Sequence, residues 1–223
     1  ISILILISIY FEVFQNQILS RCMHVYETAF IIDNLFPLLF LLFLSALNWF
    51  LEAFRWRAVM QSIEEVSMYE SLKAILSGLG ISAFSPNRVG EFIGRVVYLK
   101  RANKVRGVLL NFVSNSALIL TSYLAGYVSC LYFLSLWVVQ KEWWYYLIIG
   151  SLGLFGLILI YLYFNWKDLS LLLYRVEFLN RFGKYWSTFN LLSFKKLIYY
   201  WSLAILRYLV FTFQYLMVLK LFQ

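Results

Sequence analysis

A single histidine, His24, and two widely separated cysteines, Cys22 and Cys130, leave almost nothing from which to build a metal centre or a disulfide framework. No metal and no cofactor is expected. Proline is nearly absent as well, with only Pro37 and Pro86, so long helices meet few interruptions. Charge is scarce, at 13% of the 223 residues where a soluble domain carries roughly 25%. Acids are the scarcer sign, 11 Asp and Glu against 19 Lys and Arg, for a net charge of +8. Because the basic residues lie between apolar runs, this excess reads as a topological bias of membrane loops and not as a nucleic-acid footprint. What is present is apolar: 63% of residues are hydrophobic and 21% aromatic, against roughly 45–50% apolar in soluble domains. These proportions predict an all-α, polytopic membrane helix bundle whose first partner is the lipid bilayer.

Apolar runs locate the spans. Residues 1–11 are apolar but short of the roughly 20 residues that cross a bilayer. They are expected to be part of a first span, and both ends of the chain are expected to be cut from a longer protein with one membrane domain over 1–223. Further spans are predicted at 35–57, 108–134, 145–165 and 197–219. Pro37 suits the first turn of a helix. From Gly107 to Gln140 no residue is charged. Gly150, Gly153 and Gly156 in the next span permit close helix packing, within the chain or in a homo-oligomer.

The stretch 72–99 differs from all of these. Its apolar part, Leu72–Phe84, is too short to cross, and Pro86 removes a donor and biases Ser85 away from helix. A re-entrant or broken helix pair turning at Pro86 is predicted, with Gly90 and Gly94 belonging to the turn. The second helix then carries Glu91 and Arg95 four residues apart on one face. The diglycine Gly78-Leu79-Gly80 is not a nucleotide loop, because no strand or phosphate-loop lysine accompanies it.

Orientation follows from the loops. Residues 88–106 hold Arg88, Arg95, Lys100, Arg101, Lys104 and Arg106 against Glu91 alone. Residues 167–196 hold Lys167, Arg175, Arg181, Lys184, Lys195 and Lys196 against Asp168 and Glu177. Both loops are expected on the cytoplasmic side of a bacterial inner membrane, separated by one hairpin of two spans.

Two blocks carry a resemblance. Leu47-Asn48-Trp49, Glu52 and Arg55-Trp56-Arg57, followed by Ser85-Pro86-Asn87-Arg88-Val89-Gly90-Glu91 and Gly94-Arg95, resemble the membrane region of lysylphosphatidylglycerol synthases. They are most similar to stand-alone flippase-like proteins sharing that region, and Ser85-Pro86 with Arg207 and Gln214 resemble Bacteroidetes members. The resemblance covers nearly the whole chain. It implies a multi-pass inner-membrane protein that moves or presents a lipid between leaflets. The soluble aminoacyl-transferase domain of true synthases has no counterpart in this sequence, so tRNA-dependent lysyl transfer is not implied.

Candidate site residues are those whose polarity is costly in lipid. Glu91 and Arg95 are candidates for an ion pair in a polar cavity; the plain alternative is a surface i,i+4 pair. Arg88, next to the start of the second half-helix, is placed to hold a lipid phosphate, or is one more cytoplasmic arginine. Arg55 and Arg57 either clamp a headgroup or snorkel beside tryptophan. Asn111 and Asn115 line the cavity or bridge helices. Arg207 lies deep in its span and requires a partner, with Glu91 or Glu52 as candidates. These residues fit a transporter binding the anionic headgroup of a phospholipid or polyprenyl phosphate. The alternatives are a membrane-embedded transferase, for which Glu91 is the one acid–base candidate, and a non-catalytic partner of such an enzyme.

Overall fold

The computed structural model describes residues 35–85, 89–100, 104–137, 143–175 and 183–221. Most of those residues are helical, with no strand among them. In chain order they form α1 (Leu35–Met60), α2 (Met68–Ser82), α3 (Val89–Val96), α4 (Lys104–Trp137), α5 (Trp143–Phe164), α6 (Trp166–Arg175), α7 (Gly183–Trp186), a 3-10 turn (Ser187–Leu191) and α8 (Phe194–Leu221). Four helices are long and apolar enough to cross a membrane, over Leu35–Met60, Lys104–Leu136, Trp143–Phe164 and Phe194–Lys220. Their exposed faces are oily, as lipid contact requires: Leu147, Leu154 and Leu157 of α5 and Val128 and Tyr132 of α4 all point outward.

The chain divides into two units. One comprises residues 1–47 and 210–223, and within it Phe40 of α1 meets Phe213 of α8 edge to face, ring centroids 6.4 Å apart. The other runs from Asn48 to Leu209 and contains most of the core. There Ala53, Trp56, Val59 and Met60 of α1 pack with Ala74 and Ile75 of α2, Leu110, Val113 and Ala117 of α4, and Leu197, Tyr200 and Ala204 of α8. Tyr163 ties α5 to α8 by donating to the Leu197 carbonyl at 2.9 Å. The basic stretch 167–196 is built largely of α6 and the 3-10 turn over its described residues, with Trp166 stacked on Phe189 at 5.3 Å.

Helices α2 and α3 are the short ones. At about 1.5 Å per residue, 15 residues of α2 reach about 22 Å and 8 of α3 about 12 Å, so neither spans the roughly 30 Å of hydrocarbon alone. Helix α2 starts on a capping box: the Ser67 hydroxyl accepts from the Glu70 N–H at 3.2 Å, and the Glu70 carboxylate accepts from the Ser67 N–H at 3.1 Å. At the far end, Ser85 reaches over the break and accepts from the Gly90 N–H at 2.8 Å, satisfying an orphan donor of α3.

The two helices then pack backbone to backbone. A Cβ added at Gly94 would stand 2.8 Å from Gly78 Cα, and one at Gly78 would stand 2.8 Å from Arg95 Cγ. Gly90 and Gly94, expected in the turn, lie inside α3, where lacking a side chain lets α2 approach. Pro86, and with it Arg88, falls outside the described residues.

Candidate functional site

A carboxylate in the middle of α1 organises the polar side chains of the Asn48–Leu209 unit. Asn48, Glu52 and Arg55 follow at four- and three-residue spacing, which sets them on one face of the helix. Glu52 is buried, and guanidiniums from three helices converge on it. Arg55, one turn on, forks onto it with Nε 3.1 Å from Oε2 and Nη2 2.7 Å from the same oxygen. Arg95 of α3 donates from Nη1 to Oε1 at 2.6 Å. Arg207 of α8 pairs through Nη1 with Oε2 at 2.9 Å, while its Nε donates to Asn48 Oδ1 at 2.8 Å. Such multiple pairing is what permits charges at this depth, since an uncompensated buried charge is strongly disfavoured.

A second layer extends the cluster. Arg95 also pairs through Nη2 with Glu91, one turn earlier in α3. Arg55 donates from Nη1 to the Ser114 carbonyl and from Nη2 to Asn115 Oδ1 at 3.3 Å, tying α1 to α4. Beside these groups lies a cavity of about 360 Å³, with Trp49, Glu52, Glu91, Arg95, Asn115 and Arg207 among its lining residues. Glu91 and Arg207 keep 17% and 26% of their side chains accessible there, whereas Glu52 and Arg95 are nearly closed off.

The structure therefore brings together Glu91, Arg95, Arg207 and Asn115 on the cavity wall, with Arg55 just beneath. It separates two others. Arg57 faces the α1–α2 connection, donating from Nε to the Val66 carbonyl at 2.9 Å. Asn111 is fully buried in α4 and off the cavity lining, with neither amide atom partnered among the described residues. Arg88 is outside the described residues. Glu52, at the centre of the ion-pair cluster, is a residue that the sequence marked as part of the Leu47–Arg57 block and as a candidate partner for Arg207, not as a site residue. Its signal was available: an acid in an apolar helix, with an amide and an arginine on the same face.

Where α3 ends, the chain returns to where α2 began. The Lys100 N–H donates to Glu64 Oε1 at 3.0 Å, and Lys100 Nζ meets Glu70 Oε1 at 2.5 Å. The lysine bond, aided by the Ser67 N–H and hydroxyl, holds the Glu70 carboxyl down at about 2, below its ordinary 4.5. The start of α2 and the end of α3 are thus fastened at one place.

No curated protein and no solved structure matches the chain. The lysylphosphatidylglycerol synthase TM region matches residues 4–222, nearly the whole chain. With four apolar helices of spanning length, that match makes this an integral, multi-pass membrane protein, and the chain belongs to the lysylphosphatidylglycerol synthase transmembrane-region family.

Proposed function

We propose that the protein is a flippase-like lipid transporter that holds an anionic lipid headgroup, of a phospholipid or polyprenyl phosphate, in the cavity beside Glu52. The observation that carries this reading is the convergence of Arg55, Arg95 and Arg207 from three helices on one buried carboxylate at the cavity wall. Arg207 commits Nε to Asn48 and Nη1 to Glu52, while 26% of its side chain stays accessible where it lines the cavity. A phosphate oxygen is a fitting acceptor for the accessible part of the guanidinium. Lipid tails have the apolar surfaces of α4 and α5 to follow.

The same reading makes α2 and α3 a re-entrant pair. Its support is the short reach of both helices and the meeting of Lys100 with Glu64 and Glu70, which returns the chain to its side of entry. The charge bias of residues 88–106 and 167–196 supports that side being the cytoplasmic one, and the reading takes the membrane to be a bacterial inner membrane. No covalent chemistry is needed: movement requires only that the cavity face each leaflet in turn.

The test is reconstitution of the chain in liposomes with a fluorescent anionic phospholipid. Arg207→Ala and Glu91→Gln are each expected to slow lipid movement roughly tenfold or more, the scale of one lost charge-assisted hydrogen bond, with the lipid recovered chemically unchanged. Undiminished movement in Arg207→Ala would sink the cavity reading, and covalently altered lipid without movement would establish the transferase instead.

A further inference from the structure

A second groove lies away from the charged cavity, where α5, α6 and α8 meet. Helix α5 ends at Phe164 and α8 begins at Phe194, and the two rings stand 5.0 Å apart. Both helices are of spanning length, so the ends they share mark one membrane boundary. The groove measures about 290 Å³, and Phe164, Trp166, Lys167, Asp168, Phe194 and Leu197 are among its lining residues. Its wall is partly oily and partly charged, as the level of lipid headgroups demands: Phe194 is exposed, and Lys167 and Asp168 are exposed beside it.

Lys167 and Asp168 are chain neighbours of opposite charge, yet neither side chain has a partner among the described residues. Trp166 adds a third group. It is 6% exposed, and its indole Nε1 finds no acceptor among the described residues. A buried donor is costly unless something accepts from it. One ammonium, one carboxylate and one indole N–H on the same groove match a molecule that carries a phosphate and an ammonium a short distance apart. We propose that this groove binds the zwitterionic headgroup of a phosphatidylethanolamine-type lipid, held at the membrane boundary and not carried through the cavity. The phosphate oxygens accept from Lys167 Nζ and from the Trp166 indole, and the primary ammonium donates to the Asp168 carboxylate. A quaternary ammonium has no N–H to give Asp168, so a choline headgroup forgoes that bond. The acyl chains remain outside a groove of this size and follow the apolar surfaces of α5 and α8.

The experiment uses the full chain in detergent and measures binding of dioctanoyl phosphatidylethanolamine and dioctanoyl phosphatidylcholine by native mass spectrometry. The ethanolamine lipid is expected to bind about fivefold tighter, the scale of one added hydrogen bond. Asp168→Asn erases that advantage, and Lys167→Gln weakens both lipids together, since both present the same phosphate. The two side chains are exposed and unbonded, so both variants keep the fold, which thermal unfolding in detergent checks. Arg207→Ala, in the other site, leaves the ethanolamine lipid bound. Equal binding of the two lipids, an advantage that survives Asp168→Asn, or binding untouched by Lys167→Gln would overturn the proposal. Loss of the ethanolamine lipid in Arg207→Ala would move it to the cavity and overturn the proposal as well. The cavity reading stands or falls separately, on lipid movement in that same variant.

Discussion

Helices α2 and α3 meet backbone against backbone at Gly78 and Gly94, whereas α4 and α5 meet ring against backbone. In the second pair, Tyr123 fits beside Gly156 and donates to the Leu152 carbonyl at 2.5 Å, and Tyr127 fits beside Gly153. Both pairs spend glycine on close approach, yet they obtain different things. The α4–α5 contact is adhesive: aromatic bodies fill notches and their hydroxyls find carbonyls, with no charge involved. The α2–α3 contact clears space for a charged stem, because the hollow at Gly78 is occupied by Arg95 on its way to Glu52. Glycine spacing alone does not distinguish adhesion from the building of a site; what the neighbouring side chain carries does.

The contrast can be broken most forcefully at the carboxylate. Glu52→Leu leaves Arg55 and Arg95 buried without their shared partner, and a loss of about 3–5 kcal/mol is expected; thermal unfolding in detergent checks it. Next is Gly94→Ala, whose Cβ would strike the backbone of Gly78 and cost about 1–3 kcal/mol. Gly150→Ala is its control, since nothing lies within 4 Å of that position, and a gain of up to about 1 kcal/mol from helix propensity is expected. Tyr123→Phe tests the adhesive pair: it removes one hydrogen bond but keeps the ring, for a loss of about 0.5–1.5 kcal/mol.

The smallest effect concerns the fastening at Lys100. Because the folded-state pKa of Glu70 is depressed, its contribution is fully present above the ordinary 4.5 and is lost as pH falls toward about 2. Hydrogen exchange in the first turn of α2 is expected to quicken over that window, and Glu70→Gln to abolish the dependence.

Much of the helical architecture was written in apolar run length, as at α4, where residues 107–137 of the uncharged stretch lie in one continuous helix. The broken pair was legible for the opposite reason, a run too short to cross that stops before Pro86. The pairing of Glu91 with Arg95 followed from their spacing in one helix. What distance along the chain conceals is that Arg95 and Arg207 reach the same carboxylate, since that depends on how α1, α3 and α8 pack. The capping box at Ser67 and Glu70 is a local serine-to-glutamate signature, but it lies ahead of the apolar run that begins at Leu72. Arg57 was misleading for a related reason: two residues beyond Arg55, it points off the face that carries the cluster.

The touching glycines of α2 and α3 also bear on motion. Main chain lies against main chain at Gly94, with the Ile81 and Arg95 side chains wedged alongside, so a shift of α3 presses directly on α2. A swing of α3 that presents Glu91 to a new environment is then expected to carry α2, and a spectroscopic label on the outward-facing Leu76 to register it.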